Sequence, residues 1–188
     1  MKLSAAVFSA AMAGSALAMP ASCPRPVDPK PKIFDLVALR PSSPIQNFPV
    51  SAANKGLLLN VAHQNATCKG ENNRATFRLD GSKLFLYSDG DKPQQMMVDR
   101  SGMGQGVMQY VDAGSRWSRN GESEGWSINA SGNLEFGGNN FLACPGAIDG
   151  AWGIWANVVS RPGGIEGCLD FVAHVVPVDN PVSCRYSS

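Results

Sequence analysis

No window of this chain sustains a helical period. Short apolar runs recur instead every 8–15 residues, each cut by Gly, Asn, Asp, Ser or Pro. That rhythm suits strands joined by tight turns and leaves no room for an amphipathic helix of about ten residues or more. Ile33 to Leu39 reads as a first strand, and Gly56 to Val61 as an apolar run after the turn Asn54-Lys55. Thr76 to Leu79 and Lys83 to Tyr87 flank Asp80-Gly81-Ser82, a hairpin signal because glycine enters the left-handed region at no steric cost. Trp126 to Asn129 and Asn133 to Phe136 flank Ala130-Ser131-Gly132 in the same way. Later strands are Phe141 to Cys144, Trp152 to Val158, Cys168 to Val176 and Ser183 to Tyr186.

Alternation with a period of two selects the inward face. Phe77, Leu79, Trp126, Ile128, Leu134, Phe136, Leu169, Phe171, Ala173 and Val175 are expected inside; Arg78, Ser127, Glu135, Asp170 and His174 face out. The expected architecture is all-β, a single-domain antiparallel sandwich stapled by disulfides. Its alternative is a β-trefoil-like barrel, suggested by strand–Gly turn–strand units near 76–87 and 125–136 with a weaker echo at 33–50.

The N-terminus sets the compartment. Lys2, the apolar run Leu3 to Ser15 and the small residues Ala16-Leu17-Ala18 read as a secretory signal peptide over residues 1–18. Residues 19–32 form a proline-rich lead, with Pro20, Pro24, Pro26, Pro29 and Pro31 disfavouring helix and sheet. Residues 33–188 are expected to form the all-β domain. Removing residues 1–32 leaves 156 of the 188 residues, enough for one core. Loss of Lys2 leaves 15 Lys+Arg against 15 Asp+Glu, so nothing here attracts nucleic acid or an anionic membrane. The polar ending Ser183-Cys184-Arg185-Tyr186-Ser187-Ser188 predicts no membrane anchor of the glycosylphosphatidylinositol type.

Five cysteines agree with an oxidising destination. Cys68, Cys144, Cys168 and Cys184 lie in the domain, and four cysteines allow three connectivities. Cys144 and Cys168 bracket an apparent hairpin, which favours that pair and leaves Cys68 for Cys184. A zinc site is disfavoured because no CxxC or HxxxH spacing occurs, and nothing calls for a cofactor. Cys23 in the lead is the odd cysteine, a candidate for an intermolecular disulfide. Two N-glycosylation sequons, Asn65-Ala66-Thr67 and Asn129-Ala130-Ser131, fall in turn-like stretches; Asn180 is disqualified by Pro181.

Catalytic motifs lack their context. Gly121-Glu122-Ser123-Glu124-Gly125 matches the G-x-S-x-G of a hydrolase nucleophile elbow, which would make Ser123 the nucleophile. The chemistry needs a strand-to-helix turn there, yet the motif runs into the apparent strand Trp126-Ser127-Ile128. Gly102-Met103-Gly104-Gln105-Gly106 has no Walker lysine and precedes a strand, so it reads as a turn between Met96–Asp99 and Val107–Val111. Glu122, Glu124, Glu135, Asp149 and Glu166 could supply a glycosidase pair, but no spacing rule joins any two, and solvated surface acids are the plainer reading. Trp152 and Trp155 lie on opposite faces of one strand, and Trp117 sits in a polar stretch; Trp117 and Trp155 are the candidate glycan contacts.

Longer strings carry a resemblance. Phe34-Asp35-Leu36-Val37-Ala38-Leu39-Arg40, Ser43-Pro44-Ile45 and Val50-Ser51-Ala52-Ala53-Asn54 are similar to the fungal secreted cell-wall PhiA family. So are Val98-Asp99-Arg100-Ser101-Gly102-Met103-Gly104-Gln105-Gly106, Gly125-Trp126-Ser127-Ile128 and Leu142-Ala143-Cys144-Pro145. Pro162-Gly163-Gly164, Glu166-Gly167-Cys168-Leu169 and Asn180-Pro181-Val182-Ser183-Cys184 extend the match over nearly the whole mature domain. Cys23 and its lead depart from that pattern. The resemblance implies a non-enzymatic cell-wall protein of filamentous ascomycetes, tied to phialide and conidium development and to stress protection. Its expected partners are wall polysaccharide or other wall proteins.

Overall fold

A computed structural model describes residues 32–115 and 117–187. They form strands and loops, and the helical pieces among them are two single 3-10 turns, Ile148–Gly150 and Pro162–Gly164. Ile33–Leu39 is β1, Val50–Ala53 is β2 and Gly56–Leu59 is β3. Thr67–Cys68 is the short β4, followed by the hairpin β5 (Thr76–Asp80) and β6 (Lys83–Leu86). Gln94–Asp99 and Val107–Asp112 are β7 and β8, and Gly121–Glu122 is β9. Trp126–Ile128 and Asn133–Phe136 make the hairpin β10–β11, and Phe141–Cys144 and Trp152–Ala156 are β12 and β13. The chain ends with the long β14 (Leu169–Pro177) and the short β15 (Cys184–Arg185).

The strands form one large antiparallel sheet, ordered β2-β3-β13-β12-β14-β1-β5-β6-β7-β8. β14 is its spine: Val172 to Pro177 pair with β1, while Leu169 to Phe171 pair with β12 and Ala173–His174 with β11. The sheet curls until its two ends meet. Tyr110 N in β8 donates to Lys55 O in the β2–β3 turn at 2.8 Å, and Ala156 N in β13 donates to Gly106 O at 2.8 Å. The all-β, antiparallel, disulfide-stapled expectation holds, with both layers supplied by one curled sheet. The hairpins expected to repeat lie at unlike places, β5–β6 on the main path and β10–β11 as a branch from β14.

Alternation places the core. Phe34, Leu36 and Ala38 of β1, Phe77 of β5, Trp126 and Ile128 of β10, and Phe171, Ala173 and Val175 of β14 are all buried together. Trp126 stacks on Phe141 at 6.1 Å and meets Phe136 edge-on at 4.9 Å, favoured aromatic geometries. Leu79 and Leu169, expected inside, are half-buried at the margin of this cluster.

The glycine-rich turn between β7 and β8 explains its own composition. A Cβ on Gly106 (φ +94°) would lie 2.3 Å from Ala156 O, and one on Gly104 would lie 2.3 Å from the Asp99 carboxyl carbon. The glycines therefore let this turn press against β13 and wrap the Asp99 side chain. No phosphate-cradling helix follows; β8 does.

Candidate functional site

An open polar groove of about 720 Å³ lies beside the loop between β3 and β5. Its walls include Pro49, His63, Asn65, Glu71, Asn72 and Arg74. Gln64, only 1% exposed, holds the loop in shape. Its Nε2 donates to Asn72 O at 2.9 Å and Arg74 O at 3.2 Å, and its backbone N donates to Asn73 Oδ1 at 2.9 Å. Asn73 Nδ2 then donates to Ala62 O at 2.9 Å. Most amide groups near the groove therefore brace the backbone, while His63 and Asn65 remain exposed on its rim.

The C-terminal segment fastens the base of that loop. β15 pairs with β4 so that Cys184 faces Cys68, and the two form a disulfide. Lys69 N donates to Ser183 O at 3.0 Å, and Ser183 Oγ donates to Asp89 Oδ1 at 2.6 Å. The Lys69 ammonium, first, and the Ser183 hydroxyl, second, hold the Asp89 carboxyl below its usual range. Gln94 clamps the backbone of Tyr186, donating from Nε2 to its O at 3.0 Å and accepting its N–H at Oε1 at 2.9 Å. The Tyr186 hydroxyl accepts Thr76 N at 3.1 Å.

A buried polar cluster continues from Thr76. Its Oγ1 donates to Asp35 Oδ1 at 2.7 Å, and Arg74 lies 3.6 Å from Asp35 Oδ2. Burial pushes the Asp35 carboxyl up, and the bonds from Thr76 and Arg74 only partly oppose it. Burial also raises the Tyr186 and Tyr110 phenols to about 12, so both stay neutral donors and acceptors. Sequence reading missed this cluster. Its one signal was a carboxylate inside the apolar strand Ile33–Leu39.

The other residues singled out in the sequence are scattered. Cys144 bonds Cys168 across the ends of β12 and β14, and Cys23 lies outside the described residues. Asn129 is half-buried in the β10–β11 turn; its Oδ1 accepts Ser131 N at 2.9 Å and Asn133 N at 3.1 Å, and its Nδ2 donates to Glu135 Oε1 at 2.5 Å. Trp117, expected to be the more exposed tryptophan, is half-buried: its ring covers Gly121, and its Nε1 donates to Gln109 Oε1 at 2.5 Å. Trp155 is also half-buried, lying over Gly153 and Gly163. Trp152 packs against the main core.

Ser123 follows the strand β9 and leads by an isolated bridge at Glu124 into β10, so no helix follows it. Glu122 is engaged by Arg100, whose side chain donates to both carboxylate oxygens and holds that acid below its usual range. Among the described residues, no histidine is hydrogen-bonded to a serine or cysteine; His174 Nδ1 faces Asn133 Oδ1 at 3.0 Å. Nor do three or more His, Cys, Asp or Glu side chains gather there as a metal site.

Comparison with known proteins decides the family. The model of the PhiA-like secreted protein family matches residues 34–187. The chain belongs to that family. Among its curated relatives, cell wall protein phiA of Aspergillus niger is 40% identical over 190 residues, covering the whole of both chains. The protein of that name from Aspergillus fumigatus is 39% identical over 96% of this chain and 97% of its own, and that of Emericella nidulans 38% over the whole of both. This PhiA-like chain is a secreted protein of the cell wall. No solved structure matches it.

Proposed function

We propose that this PhiA-like chain is a non-enzymatic wall component that acts in asexual development, in the formation of phialides and conidia, with stress protection of the spore as a secondary role. Family membership over residues 34–187 carries the reading. The chemistry of the domain is consistent with it. Gln64 and Asn73 beside the groove brace backbone, and Ser123 sits between two strands rather than on an elbow. A scaffold closed by two disulfides suits a protein that must persist outside the cell.

Residues 1–18 serve as the export signal and 19–32 as a tether. The two bridges use four of the five cysteines, leaving Cys23 of the tether for a disulfide to another wall protein. Wall polysaccharide is the second contact, through the half-buried Trp155 on its glycine-lined face and Trp117 beside β9. Hot-detergent washing of isolated walls with and without reductant tests the thiol tether. Release only with reductant is expected, and identical release in both sinks it. Selective retention on chitin or β-glucan, lost in Trp155→Ala, tests the glycan contact. Esterase or polysaccharide turnover by the purified protein that vanishes in Ser123→Ala would replace the structural reading with an enzymatic one.

A further inference from the structure

The two sequons are equivalent in sequence and opposite in structure. Asn129 has its carboxamide inside a hairpin turn, bonded to Ser131, Asn133 and Glu135, all within six residues of it. Asn65 is exposed at the rim of the polar groove, its backbone is left-handed (φ +51°), and its side chain makes no hydrogen bond among the described residues. Thr67, the third residue of its sequon, is exposed as well.

Order of synthesis separates them further. The loop bearing Asn65 is closed by the bridge from Cys68 to Cys184, a separation of 116 residues. At ~5–20 residues per second of synthesis, those 116 residues take roughly 6–23 s, during which that bridge cannot form. The Asn129 side-chain bonds, by contrast, reach no farther than residue 135, and a hairpin forms in ~1–10 μs. Oligosaccharide transfer needs an unfolded, reachable carboxamide as the chain enters the secretory route.

We infer that Asn65 is the N-glycosylation site of this protein and that Asn129 remains unmodified. In the transfer, Asn65 Nδ2 bonds to the anomeric carbon of a polyprenyl-diphosphate-linked oligosaccharide. The carbon–oxygen bond to the diphosphate breaks, Nδ2 loses one proton, and the polyprenyl diphosphate departs. The first sugars then lie along the groove walled by His63, Glu71 and Arg74, a polar surface able to hydrogen-bond sugar hydroxyls. The attached glycan shields the nearby Cys68–Cys184 bridge from proteases and reductants.

The test is the full-length chain secreted from a fungal host, measured by intact mass before and after peptide N-glycosidase and by peptide mapping of the Asn-to-Asp conversion that enzyme leaves. The expected result is one glycan, at residue 65, lost in Asn65→Gln and in Thr67→Ala, and kept in Thr67→Ser and Asn129→Gln. The serine variant preserves the sequon, which separates loss of the glycan from loss of folding. A glycan at Asn129 in the wild-type chain, or an Asn65 peptide without one, overturns the inference.

Discussion

The Tyr186 hydroxyl and the Thr76 amide meet at 3.1 Å although 110 residues separate them in the chain. This bond joins the C-terminal segment to β5 at a buried point, next to the Asp35–Thr76 contact. Tyr186→Phe keeps the ring and removes the acceptor, leaving a buried N–H unsatisfied, which costs about 1–3 kcal/mol. Urea unfolding should show a lower midpoint with an unchanged slope. An unchanged midpoint would mean that the bond contributes nothing to stability.

The two disulfides should contribute unequally. Cys68–Cys184 spans 116 residues and Cys144–Cys168 spans 24. Loop-closure entropy in the unfolded chain then gives about 5 kcal/mol for the first and about 3.5 kcal/mol for the second. Paired Cys→Ala variants, compared by denaturant unfolding, should rank in that order. The reverse order would indicate that native strain or residual structure in the unfolded chain dominates.

Asp35 gives a pH signature of opposite sign to the surface acids. Its folded pKa is raised above the ordinary 3.8, so the folded state binds the proton more tightly, and stability falls as pH climbs from about that value through the folded pKa. Asp89 and Glu122 are held below their ordinary values, so their stabilisation is present above those values and is lost as pH falls through the folded pKa values. Asp35→Asn keeps an oxygen to accept from Thr76 but never ionises. Its stability relative to wild type should therefore rise with pH above 3.8 and then level off. A difference that does not vary with pH would contradict the buried-carboxylate assignment.

Two glycines in one turn form an internal control. Gly106→Ala places a methyl 2.3 Å from Ala156 O at φ +94°, whereas Gly102→Ala meets nothing within 4 Å. The first should destabilise by about 1–3 kcal/mol or more, the second by less than about 0.5 kcal/mol. Thermal melts of the pair decide it; equal melting temperatures would mean that the turn does not dock on β13.

Ile33–Leu39, Asn133–Phe136 and Phe141–Cys144 have the same limits in sequence and structure: Asn133–Phe136 alternates, while the other two are marked by runs of large apolar residues between turn formers. Val50–Ala53 was not legible, because Val-Ser-Ala-Ala is buried at all four positions yet has neither alternation nor a run of large apolar residues to mark it. β4 and β9 are two residues each, created by pairing with distant chain rather than by local preference, whereas the equally short β15 lies inside the expected strand Ser183 to Tyr186. The closure between Tyr110 and Lys55 is likewise non-local. At the candidate site, sequence identified both sequons but not their difference, since the Asn129 bonds exist only once the β10–β11 turn is made. Trp117 read as exposed because its neighbours are polar; the bare Cα of Gly121 is what lets it lie down.

Gene replacement is the decisive test of a developmental wall role without catalysis. Conidia would be counted per colony area in the source fungus after deletion, and again after complementation with the wild-type chain or with Ser123→Ala. A sharp fall on deletion and equal restoration by both copies are expected. Normal conidiation after deletion, or restoration by the wild-type chain alone, would contradict that role.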